Sequence, residues 1–182
     1  MSVRQIVLTY EDYCELPDDG KRYEIHQGEL VVNPAPTPGH QRVLRRLNRL
    51  LEQHIETNRL GELFFAPLDC ILDDTSVVQP DLVFIANDRG GQISGRGIEG
   101  APTLVVEIVS PSSTRTDRGR KMQLYAKFGV PYYWIVDPGV QRLEAFELIS
   151  GSYELVADGT MTQTVRLAPF SELAIPLAEI WN

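Results

Sequence analysis

Residues 103–109 read Thr-Leu-Val-Val-Glu-Ile-Val, a nearly unbroken apolar and β-branched run. A strand with one wet face alternates apolar with polar side chains, so this pattern predicts a central strand buried on both faces. Such a strand needs cover on each side, which confines the chain to a layered fold of helices and strands. The covering helices are legible. Over 40–59 apolar residues fall at Val43, Leu44, Leu47, Leu50, Leu51 and Ile55, a helical period, with Gly61 beyond them as a stop. A second helix is predicted over about 115–128, where Thr114 and Asp117 suit a capping box and Gly129 and Pro131 follow the end.

The remaining runs read as strands. A hairpin is predicted over 23–32, turning at Gln27-Gly28; strands follow over 63–66, 68–72, 77–85, 132–136, 143–148 and 153–156. The stretch 87–100 is polar and glycine-rich and is expected to be a long mobile loop. Its Gly-x-Gly-x-x-Gly over 95–100 precedes a strand instead of opening a helix after one, so it is no dinucleotide fingerprint. The expectation is one α/β (α+β mixed) domain over 1–182: an N-terminal extension and hairpin over 1–38, a core over 39–160 with one mixed central sheet flanked by helices, and a C-terminal segment over 161–182. With 43% apolar residues and 182 positions, the chain is long enough to close that core without a disulfide or structural metal. Its two cysteines have no metal-ligand spacing. No leader or long apolar span is visible, and a soluble cytoplasmic protein without membrane contact is expected.

Glu107 is the one charge inside the buried strand, and Pro80-Asp81 opens the strand segment before it. A buried carboxylate costs several kcal/mol unless it is paired, so Glu107 needs a cation. That cation is either an arginine or lysine, or a hard divalent ion shared with Asp81, completed by water and phosphate oxygens. Asp117, Lys121 and Tyr125 follow at i, i+4 and i+8 on one helix face, as a surface ion pair or as a group turned toward Glu107. Net charge is −8, which excludes nonspecific coating of nucleic acid. Local basic stripes exist nonetheless: Arg42, Arg45, Arg46 and Arg49 share one face of the first helix, and Arg115, Arg118 and Arg120 cluster near the second. Each is either a phosphate-binding surface or a solvated helix face. His26 and His54 have no ligand spacing, and Tyr133 and Trp134 read as core aromatics.

These pieces resemble a known family. Tyr23 to Glu29, Pro38-Gly39-His40-Gln41, Pro80-Asp81, Glu107 to Ser112 and Gly129 to Pro138 are similar, in order, to the motifs of the Uma-type endonucleases within the PD-(D/E)XK nuclease superfamily. The resemblance implies a restriction-endonuclease-like core and Mg2+-dependent hydrolysis of DNA phosphodiesters, with Mn2+ as a substitute. It implies Asp81, Glu107 and Glu24 as metal-binding acids, and Lys121 as a catalytic lysine moved onto the helix, since Val109 stands where the superfamily carries lysine. The basic residues Arg42, Arg45, Arg46, Arg49, Arg115 and Arg118 are then DNA contacts, and His40, Gln79, Ser110, Asp117 and Tyr125 are supporting residues. Duplex DNA and a homodimer are the implied partners. The alternative, prompted by Val109, is a catalytically silent dimeric DNA-binding or regulatory protein on the same scaffold.

Overall fold

A computed structural model of the chain describes residues 6–110 and 113–181. It opens with a one-turn helix, α1 (Tyr10–Cys14), which the sequence reading did not anticipate; Thr9 and Asp12 cap it reciprocally. The hairpin β1 (Arg22–His26) and β2 (Glu29–Asn33) follows as expected, with Gln27 and Gly28 both at positive φ, the requirement of a tight two-residue turn. α2 (Pro38–Asn58) begins at the Thr37 cap, with Pro38 in its first turn, and buries Val43, Leu44, Leu47, Leu51 and Ile55. Its stop is not Gly61. Arg59 takes the left-handed conformation itself, while Gly61 begins the next strand with Ile85 O only 2.0 Å from where a Cβ would stand. Close strand approach, rather than helix termination, accounts for that glycine.

Next come β3 (Gly61–Phe65), β4 (Cys70–Asp73), β5 (Ser76–Val78) and β6 (Leu82–Ala86). The single strand expected over 77–85 is two strands in two sheets, broken at Gln79-Pro80, where proline offers no N–H to a ladder. The expected loop over 87–100 is also structured: a short 3-10 turn leads to a hairpin, β7 (Ile93–Ser94) and β8 (Gly97–Glu99). Ile98 N–H and Gly100 N–H bond to Asp69 O and Ile71 O, fixing this segment beside β4. Then come β9 (Leu104–Ile108), the buried strand foreseen, a π-helical turn over 116–121 continuing into α3 (Met122–Lys127), and β10 (Tyr132–Asp137). Gly129 ends that helix at positive φ. The capping box expected there is absent: Thr114 donates its hydroxyl to Ser110 O at 2.7 Å, and Ser110 and Ser113 cap one another. β11 (Arg142–Ile149), β12 (Ser152–Thr160), β13 (Thr164–Leu167), β14 (Phe170–Pro176) and α4 (Ala178–Trp181) complete the described chain.

Not one but two six-stranded sheets result. The central mixed sheet has the order β12-β11-β10-β9-β6-β3, with β9 and β10 parallel; the second has β2-β1-β5-β4-β8-β7. The N-terminal hairpin belongs to the second sheet through Ile25 and Val77. Alternation along β9 divides the core. Leu104, Val106 and Ile108 face α2 and the C-terminal β13–β14–α4 unit, while Val105 and Val109 face α3 and the second sheet. Glu107, in phase with the latter pair, points between the sheets.

Candidate active site

Strand pairing brings the acids together. Leu82 pairs with Val106 across antiparallel β6 and β9, so the next step outward sets Asp81 against Glu107 on the same face. The backbone N–H of Ile108 donates to Asp81 Oδ2 at 2.8 Å, and His40 Nε2, in the first turn of α2, lies 3.0 Å from the same oxygen. Arg22 Nη1 stands 4.0 Å from Asp81 Oδ1. Asp81 is thus oriented by strand, helix and hairpin at once.

Glu24 and Lys121 come from opposite sides. Lys121, on the π-helical turn, donates from Nζ to Glu107 Oε1 at 3.0 Å and to Glu24 Oε1 at 3.1 Å, with all three side chains almost wholly buried. Tyr125 hydroxyl donates to Glu107 Oε1 at 2.8 Å. Glu24 also accepts from Gln79 N–H at 3.0 Å and from His26 Nε2, 2.8 Å from Oε2. The Gln79 side chain turns away, to Tyr13 and Asp69. Asp117 is buried one turn before Lys121. The face shared by Asp117, Lys121 and Tyr125 is real, and it looks inward.

Charge in this cluster is unevenly held. Burial pushes both glutamates toward protonation. For Glu24 the Lys121 ammonium, His26 and the Gln79 amide outweigh it and hold the carboxyl well below its usual range. For Glu107 burial prevails over Lys121, and the nearby Asp117, Asp81 and Glu24 add to it, so its carboxyl lies well above the usual range. Burial also raises Asp117. Burial works against the Lys121 ammonium, yet Glu107, Glu24 and Asp117 together raise its pKa and keep it charged.

Asp81, Glu107, Asp117 and Lys121 line one cavity of about 360 Å3, closed by His40, Arg22, Ser110 and the connector from Asn33 to Thr37. Glu24 lies behind Lys121 and is fully buried. Among the described residues no three His, Cys, Asp or Glu side chains are grouped to hold a metal. Two carboxylates on one cavity do suit a hard octahedral ion, which takes one or two carboxylates and fills its shell with water and phosphate oxygens.

The arginines divide. Arg118 pairs with Glu144 and, at 3.8 Å, with Asp137; Arg120 binds Glu29 and His26 O. Arg115 is exposed. Arg42, Arg45, Arg46 and Arg49 make no ion pair among the described residues, although the chain carries a net −8. Sequence reasoning passed over Arg22 and set His26 aside for lack of ligand spacing. Both alternate with Glu24 on one face of β1, and the period of two would have placed all three together.

The family model of Uma2, described as "Putative restriction endonuclease", matches residues 10–178. An uncharacterized protein of Synechocystis sp. (strain ATCC 27184 / PCC 6803 / Kazusa), sll1609, is 23% identical over 155 residues, which cover 84% of this chain and 87% of that protein. A crystal structure described as a putative nuclease belonging to DUF820, from Anabaena variabilis ATCC 29413, superposes with a TM-score of 0.76 at 20% identity, covering 96% of this chain and 97% of the other. That likeness establishes the shared fold. No helix among the described residues is long and apolar enough to cross a membrane.

Proposed function

This chain belongs to the Uma2 family, and we propose on that footing that it is a metal-dependent endonuclease that hydrolyses DNA phosphodiesters. The observation that carries the reading is the convergence of Asp81, Glu107 and Lys121 on one cavity although they come from three different elements. Asp81 and Glu107 would hold magnesium or manganese. Bound there, such an ion supplies Lewis-acid neutralisation of phosphate charge and a water of lowered pKa.

The chain's own groups do the rest. His40 and the Ile108 N–H keep Asp81 in one rotamer. Lys121 orients the attacking water and faces the charge that develops as a water O–P bond forms and the P–O bond to the leaving sugar oxygen breaks. Glu24 acts on Lys121: with His26 and the Gln79 N–H fixing both its oxygens, it aims the ammonium at the cavity instead of ligating metal itself. The unpaired arginines of α2 supply the phosphate contacts that an acidic protein otherwise lacks. A homodimer would set two such sites on one DNA.

The test is incubation of the purified protein with supercoiled plasmid and Mg2+ or Mn2+, beside an EDTA control and the variants Asp81→Ala and Lys121→Ala. Nicking or linearisation that needs metal and disappears in both variants is expected. A folded wild-type protein that leaves plasmid intact, or cleavage that survives Asp81→Ala, refutes the proposal.

A further inference from the structure

Resting on that nuclease reading, we propose that a groove on α2 next to the catalytic cavity is a nucleobase pocket, and that the substrate presents at least one unpaired base beside the scissile phosphate. The groove encloses about 560 Å3, within the range of small-ligand sites, and is lined by Gln41, Arg42, Leu44, Arg45, Asn48 and Phe65. Phe65 is an aromatic side chain left 58% exposed at the end of β3. Leu44 forms an apolar floor. Gln41, Arg45 and Asn48 fall at i, i+4 and i+7 and so lie on one side of the helix.

Asn48, which lines the groove, has hydrogen-bonding capacity to spare. Its Nδ2 donates along the helix to Glu52 at 3.3 Å, while its Oδ1 is buried without any hydrogen-bond partner. A buried amide oxygen left unpaired is unfavourable, and a turn of the amide into the groove would offer it to an exocyclic amino group of a base. Arg42 and Arg45 bring cations that pair with no carboxylate among the described residues. An aromatic face, amide groups for a base edge and free guanidinium groups for the adjoining phosphates are the chemistry of single-strand recognition. In a duplex the base is stacked inside and reaches none of them.

Position supports the same occupant. Phe65 pairs with Leu82 and so faces α2, on the opposite side of the central sheet from the Asp81 side chain, and the Ala66 N–H bond to Asp81 O at 3.2 Å joins the two at the end of the sheet. His40, which touches Asp81, is separated from Arg45 by a helix rise of about 7.5 Å. Farther on, Arg45 also borders a second cavity with Arg46, Arg49 and Glu179, where the buried Nη1 of Arg46 has no hydrogen-bond partner among the described residues. A strand that leaves the catalytic cavity past His40 and runs along α2 meets the base pocket first and more guanidinium groups after it.

The test is fluorescence anisotropy in EDTA, so that nothing is cut, using labelled single-stranded DNA, single-stranded RNA and duplex DNA of one sequence with wild type, Phe65→Ala, Phe65→Trp and Asn48→Leu. Melting temperatures check that each variant folds. The wild type is expected to bind a single strand more tightly than the duplex. Phe65→Ala should lose roughly 5- to 150-fold of single-strand affinity, the range for one stacked base, and Phe65→Trp should retain it. Asn48→Leu should weaken strands of the amino-bearing bases adenine, guanine and cytosine most and an oligothymidine least. The DNA and RNA arms identify which sugar the groove accepts. Equal single-strand binding by wild type and a folded Phe65→Ala overturns the proposal, as does a wild type that prefers duplex or binds no strand at all. If plasmid is cut while Phe65→Ala binds normally, the pocket fails and the nuclease reading stands; if Phe65-dependent binding occurs without any cleavage, the pocket stands and the nuclease reading fails.

Discussion

Lys121→Met removes the charge that Glu24 and Glu107 share while keeping an unbranched side chain of similar length. Both ammonium contacts are near 3 Å and shielded from water. At that separation and an effective dielectric of 20, the contact with the ionised Glu24 is worth roughly 5 kcal/mol before desolvation, which takes back much of the gain. Removing one member of a buried ionic cluster costs about 3–5 kcal/mol net, because the remaining charges are stranded. For a chain of this length that is a fall in Tm of roughly 6–20 °C. The pH dependence gives the sign. With the ammonium gone, burial makes both carboxyls bind protons more tightly folded than unfolded, so the variant gains stability as pH falls from about 8 toward 5. The raised Glu107 gives the wild type a slope of the same sign, so the two proteins differ through Glu24: in the wild type its depressed carboxyl contributes stability above the usual value of 4.5 that is lost as pH falls below it. The deficit of the variant should therefore shrink on acidification. Added Mg2+ should raise its Tm more than that of the wild type, since Glu107 no longer has to exchange an ammonium for the ion. Scanning fluorimetry across pH, with and without Mg2+, measures all of this. A Lys121→Met protein that melts within about 2 °C of wild type at every pH refutes the ionic account of the site.

Two glutamates on one ammonium should respond oppositely to the same substitution. Glu107→Gln removes an acid whose ionised form is disfavoured, so Tm at neutral pH should hold or rise while plasmid cleavage is lost; Glu24→Gln removes a favoured carboxylate and should lower Tm. Equal losses in the two variants on thermal melting contradict this. Replacing Arg42 and Arg45 together with glutamine should weaken DNA binding and reduce the slope of log K against log salt by about 1 per arginine. An unchanged slope in an anisotropy titration shows that these guanidinium groups do not touch phosphate.

Where a fold is set by local periodicity, the sequence is readable. The run at 103–109, the α2 stripe, the Gln27-Gly28 turn and the Gly129 stop all depend on short-range rules, and all are present. The second sheet was illegible because its strands are short and its pairings, such as Ile25 with Val77, join segments far apart in sequence. The stretch 87–100 looked structureless because its glycines were read as flexibility. At Gly97 the reason is contact: a Cβ there would meet Asp69 O at 2.3 Å. In the site, Asp81 and Glu107 were found by chemistry, as charges that a buried strand pair does not tolerate alone. His26 was set aside for want of ligand spacing, although it lies two residues from Glu24 and so on the same strand face. The engagement of Arg118 by Glu144 depends on tertiary packing and has no local signal.

The departure at Val109 follows from packing. Residues 105, 107 and 109 face one way, and Val109, 4% exposed, fills the core beside Leu124, Tyr125 and Tyr133. Its place is apolar because the ammonium arrives instead from the π-helical turn, whose Lys121 reaches Glu107 from across the layer. If chemistry needs an ammonium between the acids and is indifferent to the element that carries it, a lysine at 109 should serve. Position 109 is about 7 Å along the strand from Glu107, a distance a lysine stem spans. Val109→Lys combined with Lys121→Ala should then recover about tenfold or more of the cleavage that Lys121→Ala loses, part of the hundred- to thousandfold typical of one charge stabiliser. Val109→Met with Lys121→Ala controls for volume and should recover none. A folded Val109→Lys/Lys121→Ala protein as inactive as Lys121→Ala means that the direction of approach matters as well as the charge. Glu24 would then be essential for aiming the ammonium along the helix-borne path, and its pairing with Lys121 would be a requirement of the chemistry as well as of stability.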